Sequence, residues 1–566
     1  MNRTLHAAVA RRALLTPDRP ALVEPGTTVT YRTLDRAADH LASLLTDLGI
    51  GPGSLVPVIL PRSARLVIVQ LALLKCGAAY SVLDPGWPPA RLASLVGRLR
   101  SPLAVADEAV AARAVTDLAG AQDPGPEGPG PTDGHGFPVW TPPLEPPAEL
   151  ADRAGAPVRR AADGESPAMV IFTSGTTGSP KAVVLPHRAA LRLFDGTGPA
   201  SFGPGHVMPQ VSNAAWDMYA LEVWGTLVAG GTCLLPGPGA PLFLPDSLRA
   251  AVAGHGADTV HLPTSLFNLF VDVDPGCFTG LRAVLVSGEA MSGAHAGRFV
   301  RAHPTVPLVN CYGPVECCMF VSWHRVSLPD CDRPDGVPLG TAAPGTRLLV
   351  LADAGADAGA DSGADGDGFG DGFGDGFGDG FGEICPPGKE GEICVAGEGL
   401  AHGYLGQAGL TAEKFRTLTV DGVPTRVYRT GDRGRVDDDG LLHYLGRGDR
   451  QVKLRGYRVE PAEVERAGRA VPGVLDCAAV PVREADGSCQ SLLLAYTVRP
   501  DEEADRAAGS ADPLGVRAAL AAVLPGFLVP ARAVAVAALP LTPNGKLDRA
   551  ALEDWGRTQN RRNNHG

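Results

Sequence analysis

The sequence has no segment that is both long and apolar enough to cross a membrane. Its most apolar long stretch, residues 66–82, is interrupted by Gln70 and Lys75, and it falls short of the roughly 20 apolar residues that a membrane span needs. Arg11 and Arg12 near the amino terminus are not followed by the apolar region of a secretory signal. We therefore expect a cytoplasmic location and no membrane partner.

The sequence also lacks an excess of positive charge, and it lacks cysteines at the spacing of a metal site. The formal net charge is -12 at pH 7 and the chain has no long Lys/Arg run, so we expect no nucleic-acid partner. The 11 cysteines form no CxxC pair and have no matching His cluster. This pattern predicts reduced thiols rather than a disulfide framework or a zinc site.

What the sequence does contain is the alternation of an α/β protein. Hydrophobic residues are 45% and charged residues 20% of the 566 residues, which is ordinary for a folded chain larger than one typical domain. An apolar run at residues 56–60, an amphipathic stretch at 64–74 and a second apolar run at 79–83 predict a strand, a helix and a strand. Because this alternation recurs up to about residue 340, we predict an α/β fold.

The composition changes twice towards the carboxyl terminus. Residues 366–382 repeat the unit Gly-Asp-Gly-Phe between two predicted strands, at residues 347–351 and 392–395. Calcium-binding repeats of similar composition run in nines, so a period of four favours a flexible insertion that lengthens a hairpin. Near residue 446 the chain turns polar and its elements shorten. We expect a large domain at residues 1–448 and a small domain at residues 449–566.

A loop rich in glycine and hydroxyl groups is the first motif that carries chemistry. The apolar run at residues 168–172 leads into Thr-Ser-Gly-Thr-Thr-Gly-Ser-Pro-Lys, residues 173–181. A buried strand that feeds such a loop can place backbone N–H groups and hydroxyls around phosphate oxygens. The spacing is not that of a Walker A loop, which disfavours a P-loop kinase or GTPase. Taken alone, the segment is either a phosphate loop or a mobile surface turn.

Four further motifs follow this loop in a fixed order. They are Asn-Cys-Tyr-Gly-Pro-Val-Glu at 310–316, Tyr-Arg-Thr-Gly-Asp at 428–432, Gly-Arg-Gly-Asp-Arg-Gln-Val-Lys-Leu-Arg-Gly at 446–456 and Pro-Asn-Gly-Lys-Leu-Asp-Arg at 543–549. As an ordered set over nearly the whole chain, they resemble the adenylation domains of nonribosomal peptide synthetases, within the adenylate-forming superfamily. The resemblance implies a large N-terminal domain of mixed sheets packed with helices, and a small mobile α+β C-terminal domain.

The resemblance also implies the reaction and most of its residues. An amino acid and ATP would give an aminoacyl-adenylate and pyrophosphate, with Mg²⁺ bound by Glu316. Tyr312 would face adenine, Asp432 the ribose hydroxyls, and Arg447 the ribose or the α-phosphate. The other residues expected at the nucleotide are Thr173, Ser174, Gly175, Thr176, Thr177, Gly178, Lys181, Gly288, Glu289, Asn310 and Gly313, of which Thr177 is also expected to be catalytic.

Two residues of the small domain are expected to act through its movement. Lys546 lies on a Pro-Asn-Gly turn, and by resemblance it bridges the substrate carboxylate and the α-phosphate; the alternative is a surface lysine. Asp449 resembles the hinge about which the small domain turns between adenylation and thioester formation, the alternative being a plain turn with exposed charges. In the second state, Lys453 and Gly456 would face the cleft.

Asp217 is the residue that indicates an amino acid rather than another acid. By resemblance it lies in the substrate site, where a buried carboxylate would pair with the α-ammonium group. Matching the other substrate positions in the same way gives Met218, Leu221, His261, Leu285, Ser287, Cys311, Met319 and Phe320. His261 with Ser287 is similar to serine-activating domains, whereas Met218, Cys311 and Phe320 depart from that pattern. We expect a small or medium side chain and leave its identity open.

The resemblance finally implies a partner and two alternatives. Without a phosphopantetheine attachment motif in the sequence, the chain is expected to be free-standing and to load a separate carrier protein, with an MbtH-like helper as an open possibility. The alternatives are an acyl-CoA synthetase of the same superfamily, for which Asp217 is the discriminator, and a nucleotide-binding scaffold that has lost catalysis. Intact Lys181, Glu316, Asp432 and Lys546 disfavour the scaffold.

Overall fold

The computed structural model describes residues 4–563, apart from residues 109, 111–137, 159, 176–178, 195–197, 199–201, 238–242, 353–382, 449–450, 455–456, 484–488, 499–511 and 541–546. Several predicted features lie outside the described residues. They are Thr176, Thr177, Gly178, Asp449, Gly456, Lys546 and the Gly-Asp-Gly-Phe repeat.

Most strands belong to the part of the chain that precedes residue 449. They are β1 (Pro20–Glu24), β2 (Thr27–Thr30), β3 (Leu55–Ile59), β4 (Ala79–Val82), β5 (Ala104–Ala106), β6 (Val139–Trp140), β7 (Pro167–Thr173), β8 (Lys181–Pro186), β9 (Val207–Pro209), β10 (Thr232–Leu234), β11 (Thr259–Pro263), β12 (Ala283–Ser287), β13 (Leu308–Tyr312), β14 (Ser322–Arg325), β15 (Thr341–Ala342), β16 (Thr346–Leu351), β17 (Gly391–Gly397), β18 (Gly403–Tyr404), β19 (Phe415–Val420), β20 (Val423–Val436) and β21 (Leu442–Arg447). The later strands are β22 (Val452–Leu454), β23 (Tyr457–Val459), β24 (Val474–Arg483), β25 (Cys489–Val498) and β26 (Arg532–Ala535).

Helices alternate with these strands. The α-helices are Leu5–Leu15, Tyr31–Asp47, Ala64–Lys75, Pro89–Leu99, Pro147–Asp152, His187–Leu191, Asp217–Ala220, Thr226–Ala229, Pro245–His255, Thr264–Val273, Gly293–Ala302, Leu328–Cys331, Ala408–Lys414, Pro461–Arg469, Pro513–Val523 and Arg549–Asn563. A π-helix covers Leu221–Gly225, and short 3-10 helices cover Pro275–Phe278, Val315–Cys317 and Gly526–Leu528. Among the described residues, no helix combines the length and the apolarity that crossing a membrane requires.

A seven-stranded sheet with the order β18-β8-β7-β4-β3-β5-β6 forms the first half of the large part. Strands β3 and β4 run parallel, and the helix Ala64–Lys75 connects them. That helix starts where the Ser63 side chain accepts a hydrogen bond from the Leu66 N–H. All of its residues except Arg65 are buried, so it is a core helix rather than the amphipathic one predicted. The strand, helix and strand predicted at residues 56–83 are therefore confirmed.

The large part contains three further sheets. The first has four strands in the order β2-β1-β10-β9. The second has the order β11-β12-β13-β14-β15, in which β11, β12 and β13 are parallel. The third contains β16-β17-β20-β19, with β21 paired to β20. Antiparallel pairing of β16 with β17 confirms the two strands predicted around the repeat. The mixed sheets packed with helices are those that the resemblance implied.

The small part has its own core. The hairpin β22-β23, the sheet β24-β25-β26 and their helices enclose apolar residues between Val452 and Ala533. These elements mix strands with helices as the α+β prediction required, but β24 and β25, with 10 residues each, are longer than the short strands expected here. The boundary predicted between residues 448 and 449 stays a prediction, because residues 449–450 lie outside the described ranges. All 11 cysteines are free, as expected.

Candidate active site

A cavity of about 200 Å³ lies where the carboxyl ends of β11, β12 and β13 meet β7 and the small part. In open α/β sheets, ligands bind at such strand ends. The predicted residues that line this cavity are Thr173, Ser174, Asp217, Met218, His261, Ser287, Gly288, Glu289, Asn310, Cys311, Tyr312, Gly313, Phe320, Asp432 and Arg447. Six other predicted residues do not line the cavity: Gly175, Lys181, Leu221, Leu285, Glu316 and Met319. Except for Gly175, which has no side chain, all of them are buried.

Asp217 presents a buried carboxylate to this cavity. It is the first residue of the helix Asp217–Ala220, its exposed fraction is 8%, and Oδ2 accepts a hydrogen bond from the Met319 N–H at 3.1 Å. Burial raises the pKa of Asp217 to about 6, and the nearby Glu316 charge acts in the same direction. Among the described residues, no cation forms an ion pair with it. The site can therefore accept a cationic group beside Asp217.

A second polar group lies on the strand ends. His261 Nε2 and Ser287 Oγ are 2.8 Å apart, and both side chains are buried. His261 Nδ1 is 3.6 Å from Oε1 of Glu222, a carboxylate that accepts hydrogen bonds from Ser212 and from the Val211 N–H. His261 and Ser287, both predicted at the substrate site, are thus within hydrogen-bond distance of each other, and Glu222 lies on the far side of the His261 ring, beyond hydrogen-bond distance of Nδ1.

Glu222 is a site residue that the sequence did not indicate. It belongs to the π-helix Leu221–Gly225, which follows directly on the helix that starts with Asp217. Such π-turns are rare and often occur at functional sites. The residues around Asp217 give no sign of a π-helix, so the sequence does not show which way the Glu222 side chain faces.

The residues expected around the nucleoside form one network. The Tyr312 hydroxyl donates to Oδ2 of Asp432 at 2.5 Å, and Arg447 forms an ion pair with Oδ1 of the same carboxylate. The register of β20 against β21 places Asp432 opposite Arg447, and Tyr312 ends β13. A ring and a carboxylate are therefore held next to each other at the cavity wall.

The small part contacts the predicted phosphate loop at Ser174, Ser179 and Lys181, whereas the buried Thr173 hydroxyl has no hydrogen-bond partner among the described residues. Ser174 Oγ donates to the Arg458 carbonyl oxygen at 2.7 Å, Arg466 donates to Ser179 Oγ at 2.8 Å, and Lys181 Nζ is 3.9 Å from Glu460 Oε1. A side chain at Gly175 would place Cβ 1.8 Å from the Ser179 carbonyl oxygen, so only glycine fits this turn. The loop and the small part are in direct contact.

Glu316 is the candidate metal ligand, and it is fully buried. Oε1 accepts from the Tyr404 hydroxyl at 2.9 Å, and Oε2 accepts from Arg458 Nη1 at 2.8 Å. Burial alone would raise the pKa of Glu316, but the charge of Arg458 and the hydrogen bonds bring it below its ordinary value. Neither Tyr404 nor Arg458 was indicated by the sequence.

The Glu316 carboxylate is an oxygen donor of the kind that Mg²⁺ prefers. Mg²⁺ is commonly held by one or two carboxylates together with substrate phosphates, and Glu316 is an ionised oxygen donor beside the phosphate loop. The described residues contain no cluster of three metal-ligating side chains that would make a complete protein site. Glu316 could therefore hold Mg²⁺ only with the phosphates of a nucleotide, after Arg458 has moved away.

Lys453 reaches the cavity from the small part. Its Nζ lies 5.6 Å from the ring centre of Tyr312 and 5.7 Å from that of Tyr444. Burial lowers the pKa of Lys453, while the carboxylate of Asp432 opposes this effect. In this structure, the hairpin β22-β23 therefore places two cationic side chains, Lys453 and Arg458, at the cavity.

Comparison with known proteins agrees with this geometry. Residues 9–366 match the family model "AMP-binding enzyme", and residues 463–546 match "AMP-binding enzyme C-terminal domain". The chain is 29% identical to bacitracin synthase 1 of Bacillus licheniformis over its whole length, and 33% identical to a dimodular nonribosomal peptide synthase of Bacillus subtilis over 96% of its length. It spans only 10% and 21% of these two relatives.

One solved structure is similar over nearly the whole chain. PA1221, described as a nonribosomal peptide synthetase protein with adenylation and PCP domains, is 34% identical and superposes with a TM-score of 0.77. The match covers 98% of this chain and 97% of that one. Both the large and the small part are included in this similarity.

Proposed function

The chain belongs to the family of AMP-binding enzymes, as an adenylation domain of the adenylate-forming superfamily, and from this premise we propose that it activates an amino acid. Activation of a carboxylic acid by ATP is the family's reaction. The finer proposal is that the acid carries an α-ammonium group and that the aminoacyl group passes to the phosphopantetheine thiol of a separate carrier protein. The observation that supports it is the buried Asp217 carboxylate, which faces the cavity without an ion-pair partner among the described residues.

In the first step, a carboxylate oxygen of the amino acid attacks the α-phosphorus of ATP. The bond from that phosphorus to the bridging oxygen breaks, and pyrophosphate leaves with the electron pair. The attacking carboxylate is already ionised, so positioning and charge stabilisation carry the step without a general base. We assign Asp217 to the ammonium group, Tyr312 and Asp432 to the nucleoside, and Lys546 to the reacting oxygens. Mg²⁺ held at Glu316 would neutralise charge on the phosphates.

In the second step, the carrier thiol sulfur attacks the acyl carbon of the adenylate. The bond from that carbon to the phosphate oxygen breaks, AMP leaves, and the thiol proton passes to solvent. We propose that the small part, in the position that it has in this structure, is placed for this step. The Arg458 guanidinium donates to Glu316 and the Arg458 carbonyl accepts a hydrogen bond from Ser174. Glu316 and Ser174, which the first step needs at Mg²⁺ and at the departing phosphates, are therefore bonded to the small part instead. Asp449 would be the hinge between the two positions.

A direct test detects the intermediate itself. The chain is incubated with ATP, Mg²⁺ and a pool of amino acids, and the aminoacyl-adenylate is identified by its mass; a phosphopantetheinylated carrier is then added and its acylated form is measured. We expect one or a few amino acids to appear as adenylates and then on the carrier. The same carrier without phosphopantetheine is the control. Adenylates formed only from acids without an amine would contradict the proposal.

The pH dependence of amino acid activation should report Asp217. Because Asp217 must be ionised to bind the ammonium group, and burial raises its pKa to about 6, kcat/KM for the amino acid should fall as the pH drops below about 6. The expected slope is about tenfold per pH unit, the limit for one essential ionisation. It is measured by pyrophosphate exchange between pH 5 and 8, with kcat/KM for ATP as the reference. An acidic limb that persists in Asp217→Asn would rule out this assignment.

Arg458 should matter mainly for thiol transfer. Arg458→Ala removes the cation that pairs with the buried Glu316, so the position that the small part has in this structure loses stability. We expect single-turnover transfer to the carrier to slow by about ten- to a hundredfold, the scale for a lost hydrogen bond to a charged group. Pyrophosphate exchange should fall much less. Arg466→Ala removes an exposed contact of the same interface with Ser179 and is the matched control. Equal losses in both half-reactions would contradict this prediction.

A further inference from the structure

Arg192 is a buried cation that the proposed reaction does not use. It follows the helix His187–Leu191, and its exposed fraction is 2%. Among the described residues it forms no ion pair with a carboxylate. Burying an unpaired charge is costly unless hydrogen bonds replace its hydration, so an arginine in this position calls for an explanation.

The Arg192 guanidinium donates to one loop of the active site. Nη2 donates to the carbonyl oxygens of Cys317 at 2.9 Å, Cys318 at 3.3 Å and Phe320 at 2.6 Å. Nη1 donates to Thr346 Oγ1 at 3.0 Å and to the Pro344 carbonyl at 3.3 Å. Arg192 therefore ties the loop at residues 317–320 to the start of β16.

That loop has a backbone conformation that needs support. Cys318 and Met319 have φ values of 56° and 68°, in the left-handed region that residues with a side chain rarely adopt. Two such residues in succession persist only where the surroundings hold them, and strain of this kind clusters at functional sites. The carbonyls that Arg192 contacts lie on both sides of Met319.

The strained conformation has a direct consequence for substrate binding. It directs the Met319 N–H at Oδ2 of Asp217, at 3.1 Å. This hydrogen bond, together with weaker ones from the backbone of Met218 and Asp217, orients the carboxylate proposed for the substrate ammonium group. Arg192 does not line the cavity and so does not touch the substrate.

We propose that Arg192 is a positioning residue for amino acid recognition. It holds the carbonyls of Cys317, Cys318 and Phe320, which keeps the Met319 N–H on Asp217 and keeps that carboxylate aimed at the ammonium group. The inference rests on the proposed function, because it needs an amino acid as the substrate.

Gly399 offers a way to disturb Arg192 from outside the cavity. A Cβ atom added at Gly399 would lie 2.5 Å from Arg192 Nε, and the Gly399 backbone is not in the left-handed region. Gly399→Ala should therefore displace the guanidinium without changing any residue of the site. Arg188 provides the matched control, because it donates to the carbonyls of Glu398 and Leu400 but to none of the loop at residues 317–320.

The test compares Arg192→Gln, Arg192→Lys, Gly399→Ala and Arg188→Gln. For each variant, pyrophosphate exchange gives KM for the amino acid, KM for ATP, and the preference for the amino acid over the same acid without its amine. In Arg192→Gln we expect KM for the amino acid to rise about ten- to a hundredfold, the scale for a lost hydrogen bond to a charged group. KM for ATP should stay nearly constant, and the preference should fall.

The other variants decide the outcome if Arg192→Gln does not fold. Gly399→Ala should shift the amino acid KM and the preference in the same direction, Arg192→Lys should restore part of both, and Arg188→Gln should resemble the wild type. A wild-type preference in both Arg192→Lys and Gly399→Ala would overturn the inference. A wild-type enzyme that activates no amino acid would instead overturn the proposed function, so the two failures are distinguishable.

Discussion

Replacing Lys546 with alanine is expected to lower amino-acid-dependent pyrophosphate exchange by about two to three orders of magnitude, the scale for losing a preorganised charge donor at reacting oxygens. Lys546 itself lies outside the described residues. The two ends of its segment are held together, since the Asp548 N–H donates to the Pro540 carbonyl at 2.8 Å, and Leu547 packs on the small part's apolar residues. The residues on either side of 541–546 therefore belong to the part of the chain that we propose to turn.

Lys453 is the matched comparison for this prediction. It is the lysine that reaches the cavity in the described position, so Lys453→Ala should impair transfer to the carrier more than pyrophosphate exchange. Lys546→Ala should instead impair pyrophosphate exchange more than transfer to the carrier. When synthetic aminoacyl-adenylate is added, this variant should still transfer the aminoacyl group to the carrier. If Lys546→Ala exchanges pyrophosphate at the wild-type rate, the assignment of Lys546 is wrong.

Asp217→Asn is expected to have the second large effect. The substitution keeps the size of the side chain but removes the charge that would pair with the ammonium group in a buried site. Truncating such a charge pair commonly lowers binding by a factor of about a hundred to a thousand, so kcat/KM for the amino acid should fall by that amount. The measurement is pyrophosphate exchange with the preferred amino acid and with the same acid without its amine.

The preference between the two acids separates this effect from general damage. In the wild type the amino acid should be strongly preferred, and in Asp217→Asn that preference should nearly vanish, because the amide offers no charge to the ammonium group. Asp18→Asn, at an exposed ion pair with Arg32, is the control and should change neither value. An unchanged preference in Asp217→Asn would show that the substrate ammonium group binds elsewhere.

Local patterns of the sequence predicted much of the fold correctly. The apolar runs that became β3 and β4 are 5 and 4 residues long, whereas the buried helix between them has 12, so their lengths separate strand from helix. The pairing of β16 with β17 followed from two apolar segments around a polar insertion. In each case the information lies within a few tens of residues of the sequence.

The sequence indicated residues that line one cavity, but it did not indicate the side chains that contact them. Ordered motifs indicated Asp217, Tyr312 and Asp432, and these residues line one cavity. Arg458 on Glu316 was missed because it joins residues 142 positions apart, through the docking of the small part. No local spacing reports such a contact.

Glu222 and Arg192 were missed for related reasons. Glu222 reaches His261 from a π-turn that the residue pattern does not announce. Arg192 is an arginine at the end of a short helix, and the sequence pattern favours an exposed side chain there. Its role depends on the carbonyls of a strained loop more than a hundred positions away.

The most direct test of the account is pyrophosphate exchange with a panel of amino acids, each run beside the same acid without its amine. The buried Asp217 carboxylate predicts exchange with at least one amino acid and little with its amine-free counterpart. Equal or faster exchange with the amine-free acids would contradict the claim that this enzyme recognises an ammonium group.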